Sequence, residues 1–355
     1  MPTTSIDTFF ACSLMVLLVV SAMAYTSKTL YPYTNSMEHA NVAERYEIIS
    51  KYLLLNDGKP SDWGKNPKIT PETIGLARSD SDTPYDLDID KVTRLNSENR
   101  YAVSYAQLFK ALQMTDVSLN IEIKPVFEVT INLTSSYKES NETTYEFEIF
   151  TGKHGTPIQA ELKSYTVAEN YTESNDAYVS SGRSQMNITL SNEVHGPALM
   201  VVFAGSTSCN RIVSFNAYAF SHNSVEPDPK GTFLGLSPLN YSLSVSRFFS
   251  ETTLSEAHAL SFNCSSVLTQ TEDNISSATY DIPYFLYPSP IVIIVTGWNA
   301  TSSFVEWISY PQIPLQIGVD SAVSTVLSDT YAYSYMITIN SAFYECMVQL
   351  GGPRG

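Results

Sequence analysis

The spacing of apolar residues changes once along this chain, from about 3.6 residues before Asp116 to 2 residues after it. Beyond that point apolar and polar residues alternate, and the first apolar positions are Val117, Leu119, Ile121 and Ile123. Alternation with a period of 2 is typical of strands that bury one face. Short strands separated by turn residues therefore predict an α+β chain, mainly β, that is built from β-sandwiches.

An apolar segment followed by a Ser-Phe pair occurs twice in this β region. The first copy begins at Pro197 and the second at Pro290, about 90 residues later, which is close to the roughly 100 residues of an immunoglobulin-like sandwich. We therefore expect two tandem immunoglobulin-like β-sandwich domains, at residues 116–224 and 225–355. Residues 225–231, which are rich in proline and charge, would link them.

Residues 35–115 have mainly helical spacing and predict a small helical neck. Pro32 is expected to end the helix that precedes this region. Residues 36–55 predict an amphipathic helix, because one helix face would carry Val42, Tyr46, Ile49 and Leu53. Shorter helices are expected after Asp88, a suitable N-cap, and after Tyr101.

Residues 9–25 form a stretch without any charged side chain. As a helix this stretch would be about 25 Å long, which just suffices to cross a bilayer. We assign residues 1–34 as a hydrophobic anchor helix or a signal segment. A signal segment would be cleaved after Ala24, because Ala22-Met23-Ala24 fits a signal-peptidase site. In both cases the remainder of the chain is expected to be exported.

A retained helix would associate with the membrane, or with the same helix of other copies, through residues 8–31, and we then expect a homo-oligomer. Asp7 stands at the start of this helix, where a carboxylate can cap the positive helix end. A second interpretation makes Asp7 a subunit contact with the N-terminal amine of a neighbouring copy.

Eight Asn-x-Ser/Thr triplets support an exported orientation, since this triplet is the acceptor for N-glycosylation. All of them lie beyond residue 130, at Asn132, Asn141, Asn170, Asn187, Asn240, Asn263, Asn274 and Asn299. We therefore expect a distal part that is accessible to sugar and a membrane-proximal or protein-packed base.

The composition argues against several other functions. The formal net charge of −16 disfavours nucleic acid as a partner, because binding to phosphates requires many cations. The four cysteines include no CxxC pair, and no catalytic or cofactor-binding motif accompanies the five histidines. We predict no catalytic residue, no cofactor and no metal site, and we leave the extracellular ligand open.

A run of aspartates is the feature that most resembles a calcium site. The run contains Asp80, Asp82, Asp86, Asp88 and Asp90. An EF-hand loop that began at Asp86 would need glycine at its sixth position and glutamate at its twelfth, but Lys91 and Ser97 stand there. Helix capping by Asp88, with solvated neighbours, explains the run without a metal ion.

The order of segments in the first 115 residues resembles that of archaeal membrane-anchored, pilin-like surface proteins of unassigned function. The apolar and amphipathic helices are followed by Gly58-Lys59-Pro60-Ser61-Asp62-Trp63-Gly64, Ile74-Gly75-Leu76-Ala77 and Leu87-Asp88-x-x-Lys91-Val92. In such proteins this neck follows the anchor, and a β-rich head is exposed. The first seven residues lack the basic residue and the Gly or Ala of a class III, pilin-type leader.

Together these features predict an exported structural or adhesive cell-surface protein, anchored by its N-terminal helix and able to assemble into pilus-like filaments. The alternative is a cleaved, secreted β-sandwich binding protein.

Overall fold

The structure is a computed structural model that describes residues 3–114, 117–179, 181–284, 290–300, 302–318 and 327–353. It divides into two compact units, Met1–Lys51 and Tyr52–Gly355. The helices in the described residues are α1 (Thr3–Leu55), α2 (Ile89–Thr93) and α3 (Tyr105–Leu112).

The described strands are as follows in chain order. The first ten are β1 (Asp86–Leu87), β2 (Ser118–Pro125), β3 (Glu128–Lys138), β4 (Glu142–Lys153), β5 (Thr156–Pro157), β6 (Ala160–Ala168), β7 (Tyr171–Val179), β8 (Arg183–Ser191), β9 (Ala198–Ser206) and β10 (Val213–Phe220). The remainder are β11 (Leu234–Leu239), β12 (Ser242–Arg247), β13 (Thr252–Leu260), β14 (Ser265–Val267), β15 (Thr269–Asp273), β16 (Ser277–Asp281), β17 (Ile291–Asn299), β18 (Ser302–Tyr310), β19 (Leu315–Gly318), β20 (Leu327–Ile339) and β21 (Ala342–Pro353).

These strands form five sheets, which we name A to E. Sheet A has the order β1-β20-β21-β2-β19, sheet C the order β10-β9-β6-β7, sheet D the order β14-β13-β17-β18 and sheet E the order β11-β12-β16-β15. In sheet B, β4 pairs with β3, β5 and β8. Only β1 and β20 pair in parallel, and every other pair among the described strands is antiparallel. The prediction of a mainly β chain of sandwich type is confirmed.

Sheet C is the middle of three layers, and its central strand β9 is buried on both faces. One face packs against sheet B in a shared core that includes Phe147, Ile149, Met200 and Val202. The opposite face packs against sheet D in a second core that includes Phe203. A strand buried on both faces requires a continuous apolar sequence, and β9 satisfies this requirement with ALMVVFAG.

The repeated apolar segments form two equivalent hairpins. The first copy becomes β9 and β10, and the second becomes β17 and β18. The hairpins lie in sheets C and D, which share a core. The sequence repeat therefore corresponds to two sheets that pack face to face.

Strand β2 lies apart from the strands that follow it in the chain. The predicted domain of residues 116–224 includes this strand, whereas the structure pairs it with β21 and β19 in sheet A. Its buried residues Ile121 and Ile123 stand opposite Val348 and Cys346. The physical reason is that β2 buries its apolar face beside strands more than 190 residues away, a partner that local spacing does not reveal.

The prediction that Pro32 ends the first helix is wrong, because α1 continues through it from Thr3 to Leu55. Proline in a helix interior removes one hydrogen bond and costs about 3 kcal/mol, which a helix of 53 residues can absorb. The predicted face of residues 36–55 is confirmed in its C-terminal half, where Tyr46, Ile49 and Leu53 are buried.

Candidate functional site

The neck motif that begins at Gly58 folds into a compact turn around a buried tryptophan. Trp63 is fully buried, and its indole N–H donates to the carbonyl of Gly75 at 3.2 Å. Gly58 has a φ of +74°, and a Cβ atom there would lie 2.5 Å from the carbonyl oxygen of Thr73. Glycine is therefore required at this close approach of two backbone segments.

A buried lysine and a buried arginine hold the neck turn together. Lys91 Nζ donates to the carbonyl oxygens of Asp57 at 2.9 Å and Ala77 at 2.7 Å. Burial lowers the pKa of Lys91, and nearby carboxylates such as Asp88 partly oppose this effect. These half-buried carbonyl groups would lose their hydrogen-bond donor without the ammonium group.

Arg94 satisfies carbonyl groups from the loop that follows Trp63. Its guanidinium donates to the carbonyl oxygens of Trp63, of Asn66 at 3.0 Å and of Ile69 at 2.9 Å, and its Nε donates to that of Tyr101 at 2.9 Å. Arg94 is 3% exposed, and burial lowers the pKa of its guanidinium. One side chain thus fixes a loop that has no regular backbone pairing.

Asp90 connects the neck to sheets D and E. Its Oδ1 accepts a hydrogen bond from the hydroxyl of Tyr310, at the end of β18, and from the backbone N–H of Asn240, in the turn after β11; both distances are 2.7 Å. Burial, reinforced by the charge of Asp88, raises the pKa of Asp90 from 3.8 to about 6. The hydrogen bonds from Tyr310 and Asn240 lower this pKa, but by less than burial raises it.

A second polar contact fixes the neck at the same place. The side-chain amide of Asn99 donates to the carbonyl of Pro238 at 3.1 Å and to Oε1 of Gln312 at 2.8 Å. The neck from residue 56 onward is therefore joined to the β sheets by buried, directed hydrogen bonds. Such a junction resists rotation more than a flexible linker does.

The aspartate run does not converge on a common point. Asp88 caps α2 by accepting from the N–H groups of Asp90 and Lys91, as predicted, and Asp86 forms an ion pair with Arg78 at 3.1 Å. No group of three or more potential metal ligands occurs within the described residues. These aspartates act as a cap, an ion-pair partner and a hydrogen-bond acceptor.

The N-terminal part of α1 exposes apolar side chains on all sides. Ten large apolar side chains are 51–76% exposed, at Phe10, Leu14, Met15, Val16, Leu17, Leu18, Val19, Val20, Met23 and Tyr25. Among the residues that the structure describes, no helix has the combined length and hydropathy needed to cross a membrane. Asp7 lies within α1, and its side chain is outside the described residues.

Seven of the eight predicted glycosylation asparagines are exposed, namely Asn132, Asn141, Asn170, Asn187, Asn240, Asn263 and Asn274. Asn299 is half-buried, and its Oδ1 accepts from the hydroxyl of Thr252 at 3.3 Å. The exposed asparagines are sterically accessible to modification, and glycosylation at each remains a prediction.

Cys209, Cys264 and Cys346 are free thiols. Cys346 is buried in sheet A, where burial raises the pKa of its thiol to about 12. A thiol with so high a pKa is a poor nucleophile.

No sequence motif predicts the polar network of the junction. Lys91 stands in the neck motif without a predicted role, and no pattern singles out Arg94, Tyr310 or Gln312. Arg94 follows Lys91 by three residues, so a helix would place both cations on one face, but the acceptors of their hydrogen bonds are backbone carbonyls, which have no sequence signature.

No family model matches this chain, and no curated protein matches it. Among solved structures, HBP35 of Porphyromonas gingivalis is similar with a TM-score of 0.20 and 11% identity, over 57% of this chain and 68% of that chain. A segment of two fibronectin type-III domains from chicken tenascin has a TM-score of 0.18 and 10% identity, over 56% of this chain and 99% of that chain. Because both TM-scores are far below 0.5, neither similarity carries an argument about function.

Proposed function

We propose that this chain is an exported structural or adhesive cell-surface protein of the archaeal pilin-like kind, attached through its N-terminal helix. The observation that carries the proposal is the exposure of ten large apolar side chains between Phe10 and Tyr25. Burial of one such side chain is worth about 1.5–3 kcal/mol, so water is a poor environment for this segment. Lipid, or the same helix of other copies, would cover it.

The polar junction supports a structural role for the remainder of the chain. Buried hydrogen bonds to Asp90 and from Asn99 hold the neck to sheets D and E, so the packed β sheets would be carried on a stiff base. Sugar on the exposed asparagines would suit a surface location. This arrangement offers attachment and display rather than catalysis.

The proposal predicts that two arginines in the apolar segment release the protein from its attachment. Leu17→Arg with Val20→Arg places two charges among exposed apolar side chains, and each charge costs about 2.5–3.5 kcal/mol in lipid. Fractionation of the native cells should find the wild-type chain with floating membranes or with pelleted filaments, and the double variant in the supernatant. Attachment to lipid is distinguished from assembly into filaments by flotation, because membranes float whereas filaments pellet.

The matched control is Val267→Arg with Ile275→Arg, which changes two exposed apolar residues, one in β14 and one in the turn between β15 and β16. This control should fractionate like the wild type. If the Leu17 and Val20 variant also fractionated like the wild type, the apolar segment would not be the attachment and the proposal would fail.

A further inference from the structure

A groove lies where the neck, residues 225–231 and sheets C, D and E meet. It has two adjacent chambers with volumes of about 180 Å³ and 360 Å³. Glu98, Lys230, Trp307 and Ile308 line both chambers. Small-molecule sites favour such junctions, and their volumes are roughly 300–1,000 Å³. We call this feature the Trp307 groove.

Lys230 presents an ammonium group without an acceptor at the centre of the groove. Its Nζ lies 4.2 Å from the centroid of the Trp307 ring, a cation–π contact. Within the described ranges, Lys230 forms neither a hydrogen bond nor an ion pair. Its N–H donors are therefore open to an oxygen atom of a ligand.

Gln312 supplies a second open donor. Its side chain is 3% exposed and lines the smaller chamber. Oε1 accepts the bond from Asn99, whereas Nε2 has no partner in the part of the chain that the structure describes. This amide N–H₂ is therefore open to an oxygen atom of a ligand, as the ammonium group of Lys230 is.

The acceptor in the groove is the carboxylate of Glu98, since the neighbouring carboxylate is already used. Glu306 accepts from the backbone N–H groups of Gly231 at 2.6 Å and Phe233 at 3.0 Å. These bonds hold the segment that carries Lys230. The ammonium of Lys230 and the amide N–H₂ of Gln312 therefore offer donors to a ligand, and the carboxylate of Glu98 offers an acceptor.

Charge and shape indicate the class of ligand. A chain with a net charge of −16 repels anions at long range, and the donors of Lys230 and Gln312 require oxygen acceptors on the ligand. The apolar and aromatic walls, formed by Phe215, Phe248, Trp307 and Ile308, suit a ring with an apolar face. A neutral ring that carries several hydroxyl groups meets each requirement.

We propose that the Trp307 groove binds a neutral hexose unit of a glycan. Hydroxyl oxygens of the sugar accept from Lys230 and Gln312, one hydroxyl donates to Glu98, and the C–H face of the ring packs against the aromatic wall. This site is independent of the N-terminal attachment, so its test does not depend on that proposal.

Titration of the full-length protein with neutral trisaccharides tests this site. The protein is kept in a sugar-free detergent, because glycoside detergents would compete. Maltotriose, mannotriose, cellotriose and N-acetylchitotriose serve as probes, with saturation-transfer NMR and tryptophan fluorescence as readouts. We expect saturable binding of at least one probe with a Kd of about 1 mM or tighter, and a loss of affinity of at least tenfold in both Lys230→Met and Gln312→Leu.

The control is Lys163→Met, because Lys163 also lies over an aromatic ring, that of Tyr165 at 6.0 Å, away from the groove. It should bind like the wild type. Absence of saturable binding by every neutral probe, unchanged affinity in Lys230→Met, or tighter binding of trigalacturonate or an acidic peptide would overturn the proposal. Thermal unfolding verifies that each variant is folded. If Gln312→Leu does not fold, the affinity of Lys230→Met, which changes an exposed side chain, decides the test.

Discussion

Replacement of Arg94 with methionine is expected to lower the free energy of unfolding of the neck and β sheets by about 3 kcal/mol or more. Methionine fills part of the volume but donates no hydrogen bonds. The buried carbonyl of Trp63 and the half-buried carbonyls of Ile69 and Tyr101 lose their partner, whereas that of Asn66 keeps the N–H of Ile69. An unsatisfied buried group costs about 1–3 kcal/mol. Urea unfolding, followed by tryptophan fluorescence, measures the change.

Arg100→Met is the matched control for this prediction. Arg100 is an exposed arginine of the same neck that donates to the hydroxyl of Ser244 at 2.8 Å. Its loss should change the stability by less than about 0.5 kcal/mol, the usual range for surface substitutions. If the two substitutions lowered the free energy of unfolding equally, the hydrogen bonds of Arg94 to backbone carbonyls would stabilise the neck no more than a surface contact does.

Asp90→Asn is expected to remove a pH dependence of stability that the wild-type chain carries. A carboxyl whose pKa rises from 3.8 to about 6 on folding binds its proton more tightly in the folded state. Its contribution is therefore fully present below about pH 4 and is lost as the pH rises through 6. The loss is on the order of 3 kcal/mol. Asparagine keeps an acceptor for Tyr310 and Asn240 but cannot ionise.

Urea unfolding at pH 4 and at pH 7 measures this effect as a difference between proteins. Relative to the wild type, Asp90→Asn should gain about 2–3 kcal/mol of stability as the pH rises between these values. Asp82→Asn, at an exposed position of the same aspartate run, should follow the wild type. A parallel pH profile for Asp90→Asn would show that the carboxyl at the junction titrates like one in water.

Local features of the fold were predictable because their causes are local. The cap at Asp88 requires only a carboxylate three residues before the N–H group of Lys91. The period-2 spacing identified β2, and the repeated apolar segments marked the hairpins of sheets C and D. These patterns result from the geometry of single helices and strands.

The features that were missed depend on partners distant in the chain. Strand β2 pairs with β21, and Asp90 accepts from Tyr310 across 220 residues. The donors in the Trp307 groove come from residues 230 and 312, so no short motif contains them.

Cysteine accessibility in native cells measures most directly whether lipid or other copies of the chain shield the apolar segment from water. In a chain whose own cysteines are replaced by serine, Leu17→Cys and Asp82→Cys are each treated with a membrane-impermeant maleimide. We predict that the cysteine at 82 reacts, and that the cysteine at 17 reacts only after detergent dissolves the membrane or filament. Equal reaction at both positions in untreated cells would show that water surrounds the segment and would contradict this account.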